Sequence, residues 1–233
     1  ENKSVTYSES LHLGVSLRSY RAEKLSAFVH ALLAIEPNAA EFYREIKDRY
    51  PIVLTRDMKK AREWLHSRVR GTEQTGILVT KESARFKPLA IHVLPSGDEN
   101  AVHWFLEDKT DTRSSNYLED AATEIQVQGL ELDYICLLWD ADMRYENGKW
   151  RFYRFNGQTK WIEQTPSSES KQERMKYMLN AYRVLLTRAG MVICVPSGNA
   201  NKNPSGFWED STRLPEFYDG TYAYLKKLGI EEI

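Results

Sequence analysis

Short apolar runs bounded by Gly, Pro or charged residues constrain this chain most: Ile52–Leu54, GILVT at 76–80, YICLLW at 134–139 and MVICV at 191–195. None shows the strict polar–apolar alternation of a strand with one wet face, so each reads as a strand buried on both faces. Between them lie segments with a helical period. Leu25, Phe28, Val29, Leu32 and Leu33 form one stripe; Phe42, Ile46 and Tyr50 form a second, closed by Pro51. Arg56–Arg70 reads as a basic helix, and Met175, Met178, Leu179, Tyr182, Leu185 and Leu186 stripe a long one. A last helix starts near Pro215 and stops at Gly229. Strands alternating with helices specify an α/β domain with a mostly parallel sheet flanked by helices.

Other segments read less regularly. Leu89–Leu94, Val102–Leu106 and Thr123–Val127 are further strand candidates. Lys149–Phe155 and Lys160–Glu163 flank Asn156-Gly157, a strong short hairpin signal, and residues 144–170 read as a β-hairpin and loop insertion. Residues 197–212, rich in Gly, Asn, Pro and Ser, read as a loop. The whole of 1–233 reads as a single domain and, since it begins without Met, as a fragment of a longer protein.

Composition removes several classes. With Lys+Arg 32 against Asp+Glu 33, any nucleic-acid surface is a local patch rather than a property of the whole chain. Both cysteines, Cys136 and Cys194, sit in apolar runs and read as buried free thiols of a reducing, cytoplasmic compartment. No apolar run is long enough to span a membrane. The five histidines show no metal-ligand spacing.

No GxxxxGK[ST] loop is present, so the chain has no phosphate cradle of its own and is expected to be inactive alone. Three segments nevertheless carry motor-like chemistry. In TEIQVQGLELDY, Thr123 is followed after five residues by Gly129-Leu-Glu131, with Gln128 ahead of the glycine. A glycine there permits a sharp turn close to a ligand, and a Glu can accept from a ribose hydroxyl. In LNAYRVLLTRA, Thr187-Arg188-Ala189 closes an apolar helix ahead of the MVICV strand. In VSLRSYR, Arg18 and Arg21 precede the first helix.

These three segments resemble motifs V, VI and IV of superfamily 1 helicases, in the order IV, V, VI along the chain. The fuller string, with RSSN at 113–116 and the GKW hairpin, resembles a group of poorly described bacterial helicase-like proteins, distantly similar to the helicase part of Schlafen proteins. The resemblance implies the second RecA-like motor domain of a P-loop NTPase, lacking its own P-loop. It implies ATP and Mg²⁺ as cofactors of the full-length protein, an N-terminal RecA-like domain of the same polypeptide as partner, and DNA or RNA as the track. By the same resemblance Arg188 is an arginine finger, with Arg18 or Arg21 also meeting the γ-phosphate. Such fingers contribute roughly 10³–10⁵ in rate. Gln128, Gly129 and Glu131 then face nucleotide, and Thr123, Thr80 and Lys81 face nucleic acid. Arg56, in the basic helix, is a further phosphate-backbone candidate.

Two other classes stay open. Asp98, then Glu107-Asp-Lys109, loosely matches the D…ExK pattern of metal-dependent nucleases. A non-catalytic interaction module with a motor-like fold is the third. The bland readings are a helix-terminal cation for Arg188, a tight connection for Gly129–Glu131, and a core residue for Trp104.

Overall fold

The computed structural model describes residues 20–233 apart from 84, 96–97, 158–159, 189 and 208. Arg18 lies outside the described residues. Arg21 falls within the first helix, and its side chain lies outside them too.

The chain runs α1 (Tyr20–Ala34), α2 (Ala39–Ile46), β1 (Ile52–Thr55), α3 (Met58–Arg68), β2 (Thr75–Val79), β3 (His92–Val93) and α4 (Asp98–Leu106). It continues through β4 (Asp120–Thr123), β5 (Tyr134–Leu138), β6 (Met143–Glu146), β7 (Lys149–Phe155), β8 (Trp161–Gln164), α5 (Glu169–Leu186), β9 (Gly190–Cys194), α6 (Glu216–Lys227) and β10 (Glu231–Glu232). Seven strands form one sheet in the order β10-β1-β9-β5-β2-β4-β3, and every pairing in it is parallel. No described helix is long and apolar enough to cross a membrane.

The apolar runs are buried on both faces because the sheet is covered on both. Ile135 and Leu137 of β5 pack into one core with α1, α2, α5 and α6; their neighbours Cys136 and Leu138 pack into a second with α3. Burial raises the Cys136 thiol to about 12, so it behaves as a small apolar residue. Asp57 caps α3 by accepting the Lys59 N–H at 2.7 Å.

The second sheet is antiparallel, in the order β6-β7-β8. It docks through aromatic rings: Trp139, just beyond β5, stacks on Trp150 at 5.5 Å, and Tyr145 stacks on Tyr224 of α6 at 4.2 Å. Gly220 lets α6 press on β6, since a Cβ there would overlap the Tyr145 carbonyl oxygen. Helix propensity alone predicts that Gly220→Ala stabilises by up to ~1 kcal/mol. The contact reverses the sign, and we expect a loss of about 1–3 kcal/mol in denaturant titrations. A stabilised variant would show that α6 sits further from β6.

Three strand readings change. Val102–Leu106 is helical in α4, where Trp104 is buried while Val102 and Leu106 are 49% and 71% exposed. A strand period would have buried all three. The candidate at 123–127 shifts back to Asp120–Thr123, and residues 124–129 turn so that Val127 enters the core. Leu89–Leu94 shrinks to His92–Val93 because Lys87–Leu89, with Pro88, forms a 3-10 turn. The short β6 and β10 were not anticipated.

Candidate functional site

The residues singled out by the motor-like segments divide between the two edges of the parallel sheet. Thr55, Val79, Thr123 and Leu138 end their strands at one edge. Thr75, Tyr134 and Gly190 begin theirs at the other, and they are register partners across β2, β5 and β9. Five-residue strands put the edges about 15 Å apart.

Arg188, two residues before β9, lies at the starting edge and is buried, 8% exposed. Its guanidinium donates to the carbonyl oxygens of Leu130 and of Val127, the latter at 3.1 Å. Both acceptors belong to the connection between β4 and β5 that carries Gln128, Gly129 and Glu131. The structure therefore brings Arg188 and the Gly129–Glu131 segment together. Gln128, Gly129 and Glu131 are exposed. Gly129 has φ +80, and a Cβ there would meet open space, so backbone conformation rather than crowding selects glycine.

Thr123 ends β4 at the opposite edge, and Thr80 and Lys81 directly follow its neighbour β2. Neither threonine hydroxyl is idle. Thr123 donates its N–H and hydroxyl to Gln126 Oε1 at 2.9 and 3.0 Å. Thr80 donates its hydroxyl to Asp142 at 2.6 Å and sits 2.8 Å from the Ser83 hydroxyl. Lys81 is exposed, and its backbone N–H donates to Glu124 at 2.7 Å. Arg56 directly follows β1, and β9 and β5 lie between that strand and β2. It is not gathered with the others: it pairs with Asp219 at 2.7 Å and lies 4.2 Å over the Tyr222 ring.

Three acids at this edge were missed. Glu124 is 4% exposed, accepts from Lys81 and from the Tyr177 hydroxyl of α5, and is raised above the usual carboxylate range by burial. Asp140 and Asp142, each 1% exposed, follow β5. Asp140 accepts from the Ala141 N–H at 2.7 Å and the Tyr218 hydroxyl at 3.2 Å. Asp142 accepts from Thr80 and from Tyr182 of α5, the latter at 2.7 Å, and burial together with Asp140 pushes it up to about 7. The available signal was position: acids placed directly after a strand buried on both faces have no surface to reach.

Helix α5 spans both edges. Tyr177 and Tyr182 touch the strand-end acids, and Arg188 follows its C-terminus. The nuclease pattern loses the strand on which it was read. Glu107 meets His103 at 2.8 Å, and Lys109 donates to the Gly71 carbonyl at 2.7 Å. The Asp98 side chain lies outside the described residues. Among the described residues no cluster of three or more His, Cys, Asp or Glu side chains could hold a metal ion.

A parallel sheet covered on both faces, with polar chemistry at its edges, defines an α/β domain of the RecA-like kind. The family described as Schlafen group 3, DNA/RNA helicase domain, matches residues 1–197, and the chain belongs to that family. No curated protein and no solved structure matches the chain significantly.

Proposed function

We propose that this chain is the second RecA-like domain of a superfamily 1 helicase or translocase, working on ATP·Mg²⁺ held by a P-loop domain of the same polypeptide. The supporting observation is the partition of residues. Arg188 and the Gly129–Glu131 segment meet at the starting edge of the sheet, while Thr123, Thr80 and Lys81 gather at the other. A motor needs such a division, because closing on nucleotide must move a separate surface that grips the strand.

In this proposal the starting edge closes over the nucleotide. Arg188, exchanging the Leu130 and Val127 carbonyls for phosphate oxygens, joins Arg18 or Arg21 in bringing permanent positive charge to the γ-phosphate, and Glu131 accepts from the ribose. In this proposal Mg²⁺ is held together with the nucleotide by the P-loop domain. The other edge holds the nucleic acid. Since the hydroxyls of Thr80 and Thr123 are engaged internally, the exposed Lys81 makes the charged contact there, and the threonines shape the strand ends. Arg56 supplies a phosphate contact only by exchanging Asp219 for the strand.

The experiment is steady-state ATP hydrolysis by a polypeptide carrying this chain and a P-loop domain, with and without single-stranded DNA or RNA. The expected result is turnover stimulated at least tenfold by one of the two. Absence of nucleotide binding and of hydrolysis under all conditions would overturn the motor reading.

A further inference from the structure

We propose that the β7–β8 hairpin and α5 together form a second nucleic-acid contact, a groove that takes one or two bases of a single strand. A groove of about 440 Å³ is lined by Arg154 and Phe155 of β7, Asn156 and Gly157 of the turn, Ile162 and Gln164 of β8, and Arg174 of α5. No carboxylate is among these residues.

The lining has two kinds of chemistry. Ile162 is 46% exposed, an apolar side chain left at the surface of a hairpin. Arg154 is its partner across the hairpin, so the two side chains share a face; Phe155, paired with Trp161, turns its ring to the opposite face, where Trp161 meets it edge-on at 5.2 Å and the Arg85 guanidinium lies 5.2 Å from its centroid. The exposed Ile162 side chain, beside planar guanidiniums that can stack, accepts the face of any base. The guanidiniums of Arg154 and Arg174 flank it. Arg154 has a side chain 57% exposed, and its ion pair with Glu82 is long, at 3.9 Å. Arg174 is exposed on α5. Two planar cations beside an apolar floor match a phosphate backbone with its bases turned inward. A duplex keeps its base faces stacked and offers none to such a floor.

The groove is continuous with the strand-end edge. Glu82, which Arg154 approaches, directly follows Lys81. Tyr177, one turn along α5 from Arg174, is 49% exposed and bonds Glu124 beside Thr123. A strand crossing the Lys81 edge therefore runs onto the hairpin, which lies outside the parallel sheet. The inference builds on the proposed track in that respect, while the groove's own residues carry its affinity.

The test is fluorescence anisotropy of the purified protein with labelled dT and rU oligonucleotides over a salt series. The variants are Arg154→Ala with Arg174→Ala, Ile162→Ser, and Lys81→Ala. All four positions are exposed, and circular dichroism verifies the fold. The double arginine variant is expected to weaken binding at least tenfold. It should also lower the slope of log K against log salt by roughly 1.4, at about 0.7 per lost single-strand phosphate contact. Ile162→Ser should weaken binding and leave that slope unchanged. If Lys81→Ala weakens binding while the hairpin variants bind normally, the track stands and the groove falls. If none of the variants changes binding, both fall. Equal affinity for duplex or for poly-glutamate would also overturn the groove, marking a general anion surface.

Discussion

Arg188→Ala is expected to lower ATP turnover by about 10³-fold or more in a polypeptide that carries the P-loop domain, with only a few-fold loss of nucleotide affinity. The expectation follows from the proposed finger role. A guanidinium that meets charge developing on the γ-phosphate contributes to turnover and little to ground-state binding. The structure adds a second consequence of the same substitution. Arg188 also holds the carbonyls of Val127 and Leu130, so its loss should cost about 2 kcal/mol of stability. The two effects separate with Arg188→Gln, whose amide can still donate to one carbonyl but carries no charge. A finger predicts that Gln is as slow as Ala. If Gln restores turnover, Arg188 acts by holding the Gly129–Glu131 segment, and if Ala leaves turnover unchanged, the finger assignment is gone.

Asp142→Asn should remove a pH dependence of stability amounting to roughly 4 kcal/mol. The carboxyl of Asp142 is buried against Thr80, Tyr182 and Asp140, and it titrates at about 7. In the unfolded chain an aspartate gives up its proton near pH ~4. Between those values the folded protein holds a proton that the unfolded chain has released, so stability falls as pH rises from about 4 to about 7 and levels off above. Asparagine keeps an oxygen acceptor and never ionises. Urea titrations at pH 5 and pH 8 should therefore show the variant gaining on the wild type at the higher pH. Parallel profiles for the two proteins would mean that Asp142 is already ionised within the fold, held by its two hydroxyl donors.

The sequence announced the elements whose burial is complete. β1, β2, β5 and β9 are apolar at nearly every position because both faces are covered, and α1 and α5 carry stripes that match their buried sides. Where a segment draws its conformation from neighbours, the pattern failed. Asp120-Ala-Ala-Thr123 has weak strand propensity and becomes β4 because β2 and β3 pair on either side of it. Val102–Leu106 has the composition of a strand and is a helix with one anchored side chain, Trp104, whose indole N–H donates to the Asp120 carbonyl at 3.2 Å. At the site, the Arg188 and Gly129–Glu131 segments were readable because each is a compact string. Glu124, Asp140 and Asp142 escaped because the partners that bury them, Lys81, Thr80, Tyr182 and Tyr218, lie 40 to 78 positions away along the chain. The internal engagement of Thr80 and the pairing of Arg56 with Asp219 depend on the same long-range closure and change what those residues can offer a ligand.

The aromatic seam between the two sheets gives the protein an optical handle. The Trp139 and Trp150 rings lie 25° from parallel, and the Tyr182 ring is 4.2 Å from Trp139, both indoles buried. Rings held so close couple their strong transition dipoles, which gives a far-ultraviolet exciton couplet in circular dichroism that neither indole shows alone. Because one indole follows β5 and the other sits on β7, that couplet reads whether the hairpin is seated on the parallel-sheet core.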